Sequence, residues 1–249
     1  MHDPLPHDTI VPFKDSSLNK KQQVAQMFDR VAFRYDFINR FLSGGLDVYW
    51  RKRAIRELRE LRPKIVLDVA TGTADVAILT CKYLHTDRIT GIDISEGMLE
   101  LGRKKIAKLR LEDRIVLQKG DSETIQFPDD SFDAVTVAFG VRNYENLHKG
   151  LRDMLRVLRP GGKLVVLEFS RPQSSLKGLY NWYMKTVTPG IGSLISNNRD
   201  AYQYLHESVK AFPEGTAFVA ILNEAGYTNT YLKKLTLGIC TIYCGTKAL

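Results

Sequence analysis

Val66-Leu67-Asp68-Val69-Ala70-Thr71-Gly72-Thr73-Ala74-Asp75 decides the fold of this chain. Its first half is apolar around one carboxylate, and its second half is small and breaks the run. Such a segment is a short buried strand over 65–69 that ends in a tight turn. Gly72 lets the chain turn and lets a ligand approach the backbone. A helical pattern follows over 75–84. Working outward, strands at 89–93, 115–118, 134–139 and 163–169 alternate with helices at 96–109 and 145–158. Pro160-Gly161-Gly162 reads as the turn that stops the second of these helices. Strands without polar alternation, separated by helices, predict an α/β fold with a doubly wound, mostly parallel sheet. A helix near 216–225 and two final strands, 229–236 and 239–246, add a C-terminal antiparallel hairpin through Leu237-Gly238.

Before this core, residues 1–18 look irregular. From Asn19, Val24, Met27, Phe28, Val31 and Tyr35 recur at helical steps until Gly44-Gly45 breaks the pattern. A second amphipathic helix is expected after Trp50, with Ile55, Leu58 and Leu61 on one face. Residues 1–50 then form an irregular and helical lid, and 51–249 the main domain. Residues 171–212 read as a helical insertion rich in aromatics: Tyr180, Trp182, Tyr183, Tyr202, Tyr204 and Phe212.

Composition narrows the partners. The 249 residues carry a net charge of +8. Seven basic groups lie within 51–64 (Arg51, Lys52, Arg53, Arg56, Arg59, Arg62, Lys64), and Arg103, Lys104, Lys105, Lys108 and Arg110 form a second cluster. An acidic partner or two solvated helix faces both account for them. No apolar run is long enough to span a bilayer. Met1-His2-Asp3-Pro4-Leu5-Pro6 lacks the features of a signal peptide, which predicts a cytoplasmic protein. Cys81, Cys240 and Cys244 have neither disulfide nor metal spacing, so reduced thiols and no metal are expected.

Strand ends carry the candidate site. In a doubly wound sheet, ligands bind outside the carboxyl ends of the strands. Gly72 follows the first strand. Asp93 ends the second, where a carboxylate can take both ribose hydroxyls. Asp121-Ser122 follows the third, where a polar group can hold an adenine amino group. The turn lacks G-x-G-x-x-G, so a pyrophosphate has little free backbone to sit on. Here the sequence resembles the S-adenosylmethionine methyltransferase superfamily, which implies its Rossmann-like fold and S-adenosyl-L-methionine as cofactor. That superfamily often has glycine where Ala70 and Ala74 stand, and alanine is expected to hold both positions at negative φ.

Two longer stretches narrow the match. Tyr35-Asp36-Phe37-Ile38-Asn39-Arg40-Phe41-Leu42-Ser43, closing at Trp50, is similar to the N-terminal signature of the ubiquinone/menaquinone biosynthesis C-methyltransferase family. The run from Arg156 through Pro160-Gly161-Gly162 to Glu168-Phe169-Ser170 resembles its second signature, and Phe139-Gly140-Val141-Arg142-Asn143 a third element. The resemblance covers about residues 20–247. Ile38, Asp47 and Arg159 stand where the signatures usually have methionine, histidine and lysine, and Ala138 where some members carry a cofactor-contacting serine. The match assigns the cofactor role to Thr73, Asp93, Asp121 and Ser122, beside Gly72.

The resemblance implies C-methylation of a polyprenylated quinol, with demethylmenaquinol favoured over a polyprenyl benzoquinol. An aromatic carbon becomes nucleophilic when an adjacent hydroxyl loses its proton, and a phenol has a pKa near 10. Arg142 could stabilise the phenolate and Asn143 could hold a water or hydroxyl. Both could instead only shape the loop after the fourth strand. A nucleic-acid methyltransferase lacks support: there is no Asn/Asp-Pro-Pro-aromatic element, no cysteine near the fourth or fifth strand, and no appended binding module. A non-catalytic scaffold does not explain Gly72, Asp93 and Asp121 together. A tail insoluble in water implies a peripheral enzyme at the anionic inner membrane surface, docked by the basic face of 51–64. A homo-oligomer is compatible with the sequence, which does not fix the state.

Overall fold

The computed structural model describes residues 5–171 and 199–249. Tyr180, Trp182 and Tyr183, and with them most of the expected insertion, lie outside the described residues. The described chain forms seven strands: β1 (Ile65–Val69), β2 (Arg88–Asp93), β3 (Ile115–Lys119), β4 (Phe132–Ala138), β5 (Leu158–Phe169), β6 (Thr228–Leu235) and β7 (Cys240–Thr246). They form one sheet in the order β3-β2-β1-β4-β5-β7-β6. β1 through β5 run parallel, and β7 pairs antiparallel with both β5 and β6. This is the doubly wound sheet with a terminal hairpin that the pattern predicted. The strand order reverses between β1 and β4, and the candidate site opens at that switch point.

Helices cover both faces. α1 (Lys20–Leu42), α2 (Leu46–Arg56), α3 (Asp75–Tyr83), α4 (Glu96–Leu109), α5 (Leu147–Val157), α6 (Arg199–Ala211) and α7 (Thr216–Glu224) follow in chain order. On one face Leu147, Leu151, Met154, Phe218 and Leu222 pack against Val135, Val137 and Val166. On the other, Trp50, Ile55, Leu99 and Ile106 pack against Val66, Ile89 and Val165. Both faces of the central strands are dry, which is why their sequences show no polar alternation.

α1 starts where its sequence says it should. The Asn19 side chain accepts the Gln22 backbone N–H, and the Gln22 side chain returns the contact, a capping box that satisfies two donors. Two boundaries differ from the sequence reading. α2 begins at Leu46, ahead of Trp50 rather than after it, because Gly45 with φ 79° turns the chain directly into the helix. Leu58 therefore lies past the helix yet is fully buried. Pro160-Gly161-Gly162 lies inside β5 as a bulge instead of a separate turn. Pairing with β4 jumps from Phe132↔Leu158 to Ala134↔Lys163. Gly161, with φ 76°, donates to the Lys247 carbonyl at 3.0 Å, so the bulge is pinned to the end of β7.

The first basic cluster is not one solvated face. Arg51 is buried, ion-paired with Asp47 and set over the Phe139 ring with its Cζ 5.4 Å from the centroid. In the second cluster, Lys105 is tied to Asp36 and Asp75 at 2.5 and 2.8 Å. Arg51 thus belongs to the interior, against the expectation that it faces a membrane.

Candidate active site

The turn after β1 is built on a buried carboxylate. Asp68 sits between β2 and β4, opposite Gly91 and Thr136. It accepts the hydroxyls of Thr71 and Thr136 at 2.6 and 2.7 Å. Burial raises its pKa to about 6, against the pull of those two hydroxyls. The turn held this way is unusual in its backbone. Ala70, Gly72 and Ala74 all have positive φ, at 52°, 55° and 66°. The expectation of negative φ for both alanines is overturned: the turn geometry outweighs the cost of a Cβ in the left-handed region, about 1 kcal/mol each. A Cβ built on Gly72 would meet nothing within 4 Å, so this face of the turn opens onto free space.

That space is a cleft of about 650 Å³, counting the part open to solvent. Gly72, Asp93, Asp121, Ser122 and Asn143 all line it, so strand-end residues far apart in sequence converge. Ala70, Ile94, Met98, Ala138, Phe139, Gly140 and Tyr144 complete the floor and walls. Lys21, Val24, Phe28 and Tyr35 of α1 lie over it as a roof. A fold whose sheet reverses here and whose wall mixes apolar surface with a few convergent polar groups has the form of a nucleoside-type ligand site.

Asp93 is the most constrained of these groups. Its carboxylate accepts the Gly72 N–H at 2.8 Å and the Ser95 N–H at 2.9 Å. Burial raises its pKa to about 6, while those N–H donors pull the other way. The carboxylate keeps acceptor capacity beyond these bonds, as a diol ligand requires. Asp121 is already engaged. It takes Lys21 Nζ at 2.7 Å and the Glu123 N–H at 2.9 Å. Burial would push its pKa up, but the Lys21 ion pair and the N–H outweigh it and hold the carboxyl below its usual value.

Asn143 and Arg142 stand in the short 3-10 turn Val141–Asn143 after β4, and they differ sharply. Asn143 lines the cleft. Its Nδ2 makes one long contact, 3.5 Å, to the Phe139 carbonyl, and its buried Oδ1 has no hydrogen-bond partner among the described residues. Arg142 does not line the cleft. Its Nη1 donates to Glu168 Oε1 at 2.7 Å and to the Phe139 carbonyl at 2.5 Å. Glu168, at the end of β5, is fully buried and also takes the Phe169 N–H at 2.9 Å. The Arg142 charge is therefore neutralised by a buried partner just behind the cleft wall.

Thr73 also faces away from the cleft. Its hydroxyl donates to Asp36 of α1 at 2.6 Å and accepts from Lys105 at 2.8 Å. The roof is clamped at further points: Asp29 accepts Ser95 Oγ at 2.5 Å and the Gly97 N–H at 3.0 Å, and Arg40 pairs with Asp47 and Asp75. The sequence reading expected residues 1–50 as a lid but gave Lys21 and Tyr35 no place in the site, and it missed Glu123, Tyr144 and Glu168. Glu123 follows Asp121-Ser122 directly, and Glu168 ends a strand inside a quoted signature, so both signals were present. Nothing in the sequence pairs Lys21 with residues a hundred positions later.

Comparison with known proteins decides the family. The profile of the ubiE/COQ5 methyltransferase family matches residues 16–247. The chain belongs to this family. It is a methyltransferase. Relatives include demethylmenaquinone methyltransferase of Bacteroides fragilis, 44% identical over 97% of this chain and 99% of that protein. The ubiquinone/menaquinone biosynthesis C-methyltransferase UbiE of Geotalea daltonii is 46% identical over 92% of this chain and 97% of its own length. Among solved structures, a methyltransferase from Thermotoga maritima superposes with a TM-score of 0.62 at 19% identity, covering 89% of this chain and 99% of that one. This last likeness establishes the fold. Among the described residues no His, Cys, Asp and Glu cluster could hold a metal ion, and no helix is long and apolar enough to cross a membrane.

Proposed function

We propose that this methyltransferase methylates a ring carbon of a polyprenylated quinol, demethylmenaquinol, to give menaquinol. One observation carries the acceptor side: the buried, unpartnered Oδ1 of Asn143 in the wall of the cleft. A buried acceptor without a donor costs about 1–3 kcal/mol, and a ring hydroxyl in the cleft would relieve it. The choice of quinol follows the names of the relatives from Bacteroides fragilis and Porphyromonas gingivalis, both demethylmenaquinone methyltransferases. The names of the UbiE relatives keep the benzoquinol of ubiquinone synthesis as the second reading.

The fit to S-adenosyl-L-methionine rests on Asp93, Gly72 and the strand-end polar groups. Asp93 would take the ribose hydroxyls, the open face of Gly72 would admit the close approach, and Asp121 and Ser122 would border the adenine. When bound, the cofactor supplies an electrophilic methyl group, so alignment does much of the work. The chain's residues do the rest. Asn143 Oδ1 accepts a hydrogen bond from the ring hydroxyl next to the reacting carbon and orients the ring, while the hydroxyl proton leaves to solvent water. Phe28, Phe139, Met98 and Ile94 exclude water, which strengthens every polar contact in the cleft. Tyr35 and Tyr144 remain protonated, because burial raises both hydroxyls above the usual phenol value. Arg142, locked by Glu168, is a positioning group: it fixes the Phe139 carbonyl and so the turn that carries Asn143. Thr73 serves the cofactor indirectly by fastening α1, and α1 acts as the lid.

The substrate's tail requires work at the cytoplasmic face of a membrane. The test is methyl transfer from labelled S-adenosylmethionine to a panel of reduced and oxidised quinones and to RNA. Label should enter reduced demethylmenaquinone alone or best. Equal labelling of the oxidised quinone without reductant, or preferential labelling of RNA, contradicts the proposal.

A further inference from the structure

The roof helix has a second face that the cleft does not use. Phe33, Phe37 and Phe41 stand one turn apart and are 90, 59 and 48% exposed. Phe37 and Phe41 are stacked, with ring centroids 6.1 Å apart. At about 100° per residue, these three and the exposed Arg30 and Arg34 fall within an arc of about 100° on one side of α1. The acidic residues nearest in sequence are turned away and engaged: Asp29 with Ser95 and Gly97, Asp36 with Thr73 and Lys105. The result is an aromatic ridge flanked by arginines, of which Arg30 also lies over the Phe13 ring and borders a groove with Asp15, Asp200 and Glu207.

We propose that this ridge is the surface that docks the protein on an anionic lipid bilayer. The inference rests on the quinol reading above and names the contact that reading requires. Aromatic side chains with neighbouring arginines match the interfacial zone of a membrane, where rings enter the acyl boundary and cations meet lipid phosphates. A second copy of the chain fits less well. Three phenylalanines at these exposures offer roughly 400 Å², about half of the ~800 Å² per partner of a stable protein interface. The opposite face of the same helix, with Lys21, Val24, Phe28 and Tyr35, lines the cleft. The bilayer surface and the cleft are then separated by one helix, about 10 Å across. A quinol whose tail stays in the membrane has only that distance to travel. The ridge also replaces Arg51 as the contact, since Arg51 is buried.

The experiment is vesicle co-sedimentation of the full chain with phosphatidylcholine alone and with phosphatidylglycerol added. Phe33→Gln with Phe37→Gln should weaken binding to the mixed vesicles on the order of tenfold or more. Arg30→Gln with Arg34→Gln should remove most of the dependence on phosphatidylglycerol and on salt. Both double variants should methylate a soluble, short-tailed quinol at the wild-type rate, which also shows that they fold. Wild-type vesicle binding in the aromatic variant overturns the proposal. So does loss of a sedimenting dimer in that variant with vesicle binding unchanged. If wild type binds vesicles through the ridge yet never methylates the short-tailed quinol, the docking surface stands and the quinol reading fails.

Discussion

The floor of the cleft and its roof are built by different means. The floor is made of loops at the carboxyl ends of β1 to β4, each fixed by the strand it leaves. Asp68 and Asp93 tie those loops together through buried contacts at 2.6–2.9 Å. The roof is a single helix held by polar contacts from Lys21, Asp29, Asp36 and Arg40, all on partly exposed side chains or rims. Buried groups that lose a partner pay the full desolvation cost, whereas exposed ion pairs are worth about 0–1 kcal/mol each. The floor is therefore rigid and intolerant of change. The roof is assembled from small terms, each replaceable, as a cover that must admit a ligand requires.

The largest effect should come from the buried pair behind the floor. Glu168→Ala leaves the Arg142 guanidinium inside without a counter-charge, and urea denaturation should show a loss of about 3–5 kcal/mol. A loss no greater than that of a surface change would show that water reaches this pair. Next is the cofactor. Asp93→Ala should weaken S-adenosylmethionine on the order of a hundredfold or more by calorimetry, since two charge-assisted hydrogen bonds go unmade. Asp36→Ala in the roof should weaken it by less than about tenfold. If the two changes cost the same, floor and roof do not differ in the way described.

The pH dependence sharpens the same contrast. Asp93 has a pKa of about 6 in the free protein. Ribose hydroxyls donate to the ionised carboxylate, so affinity should be full above that pH. Below it the affinity should fall, approaching tenfold per pH unit at about two units lower. Asp93→Asn should flatten this slope, and an unchanged slope would assign it to another group. The smallest effect concerns the turn. Ala70 sits at φ 52°, and a Cβ on Gly140 would meet its methyl at 2.7 Å. Ala70→Gly should raise stability by about 1 kcal/mol, read as a shift in the urea midpoint.

Legibility in the sequence follows this division. The strand order and hairpin were readable because buried strands and helices have different periods. That Gly72, Asp93, Asp121, Ser122 and Asn143 line one cleft was readable because a strand end fixes where a side chain can sit. Three things were not. Apolar spacing on α1 could not separate the side facing the core from the side facing out: Val24 and Met27 are buried, while Phe33 is almost fully exposed. The charge of Arg51 suggested a solvated surface, but Asp47 one turn away gives it a buried partner. The positive φ of Ala70 and Ala74 goes with a turn closed locally by the Thr71–Asp68 bond and anchored to β4 by the Thr136–Asp68 bond, a constraint that overrides residue preference.

One measurement tests the central claim most directly. Methyl-labelled S-adenosylmethionine is incubated with the protein and reduced demethylmenaquinone, and the product is examined by carbon NMR. A label bonded to a ring carbon, lost in parallel in Asn143→Ala while S-adenosylmethionine binding is retained, is the predicted result. A label on oxygen, or undiminished ring labelling by the Asn143 variant, would contradict it.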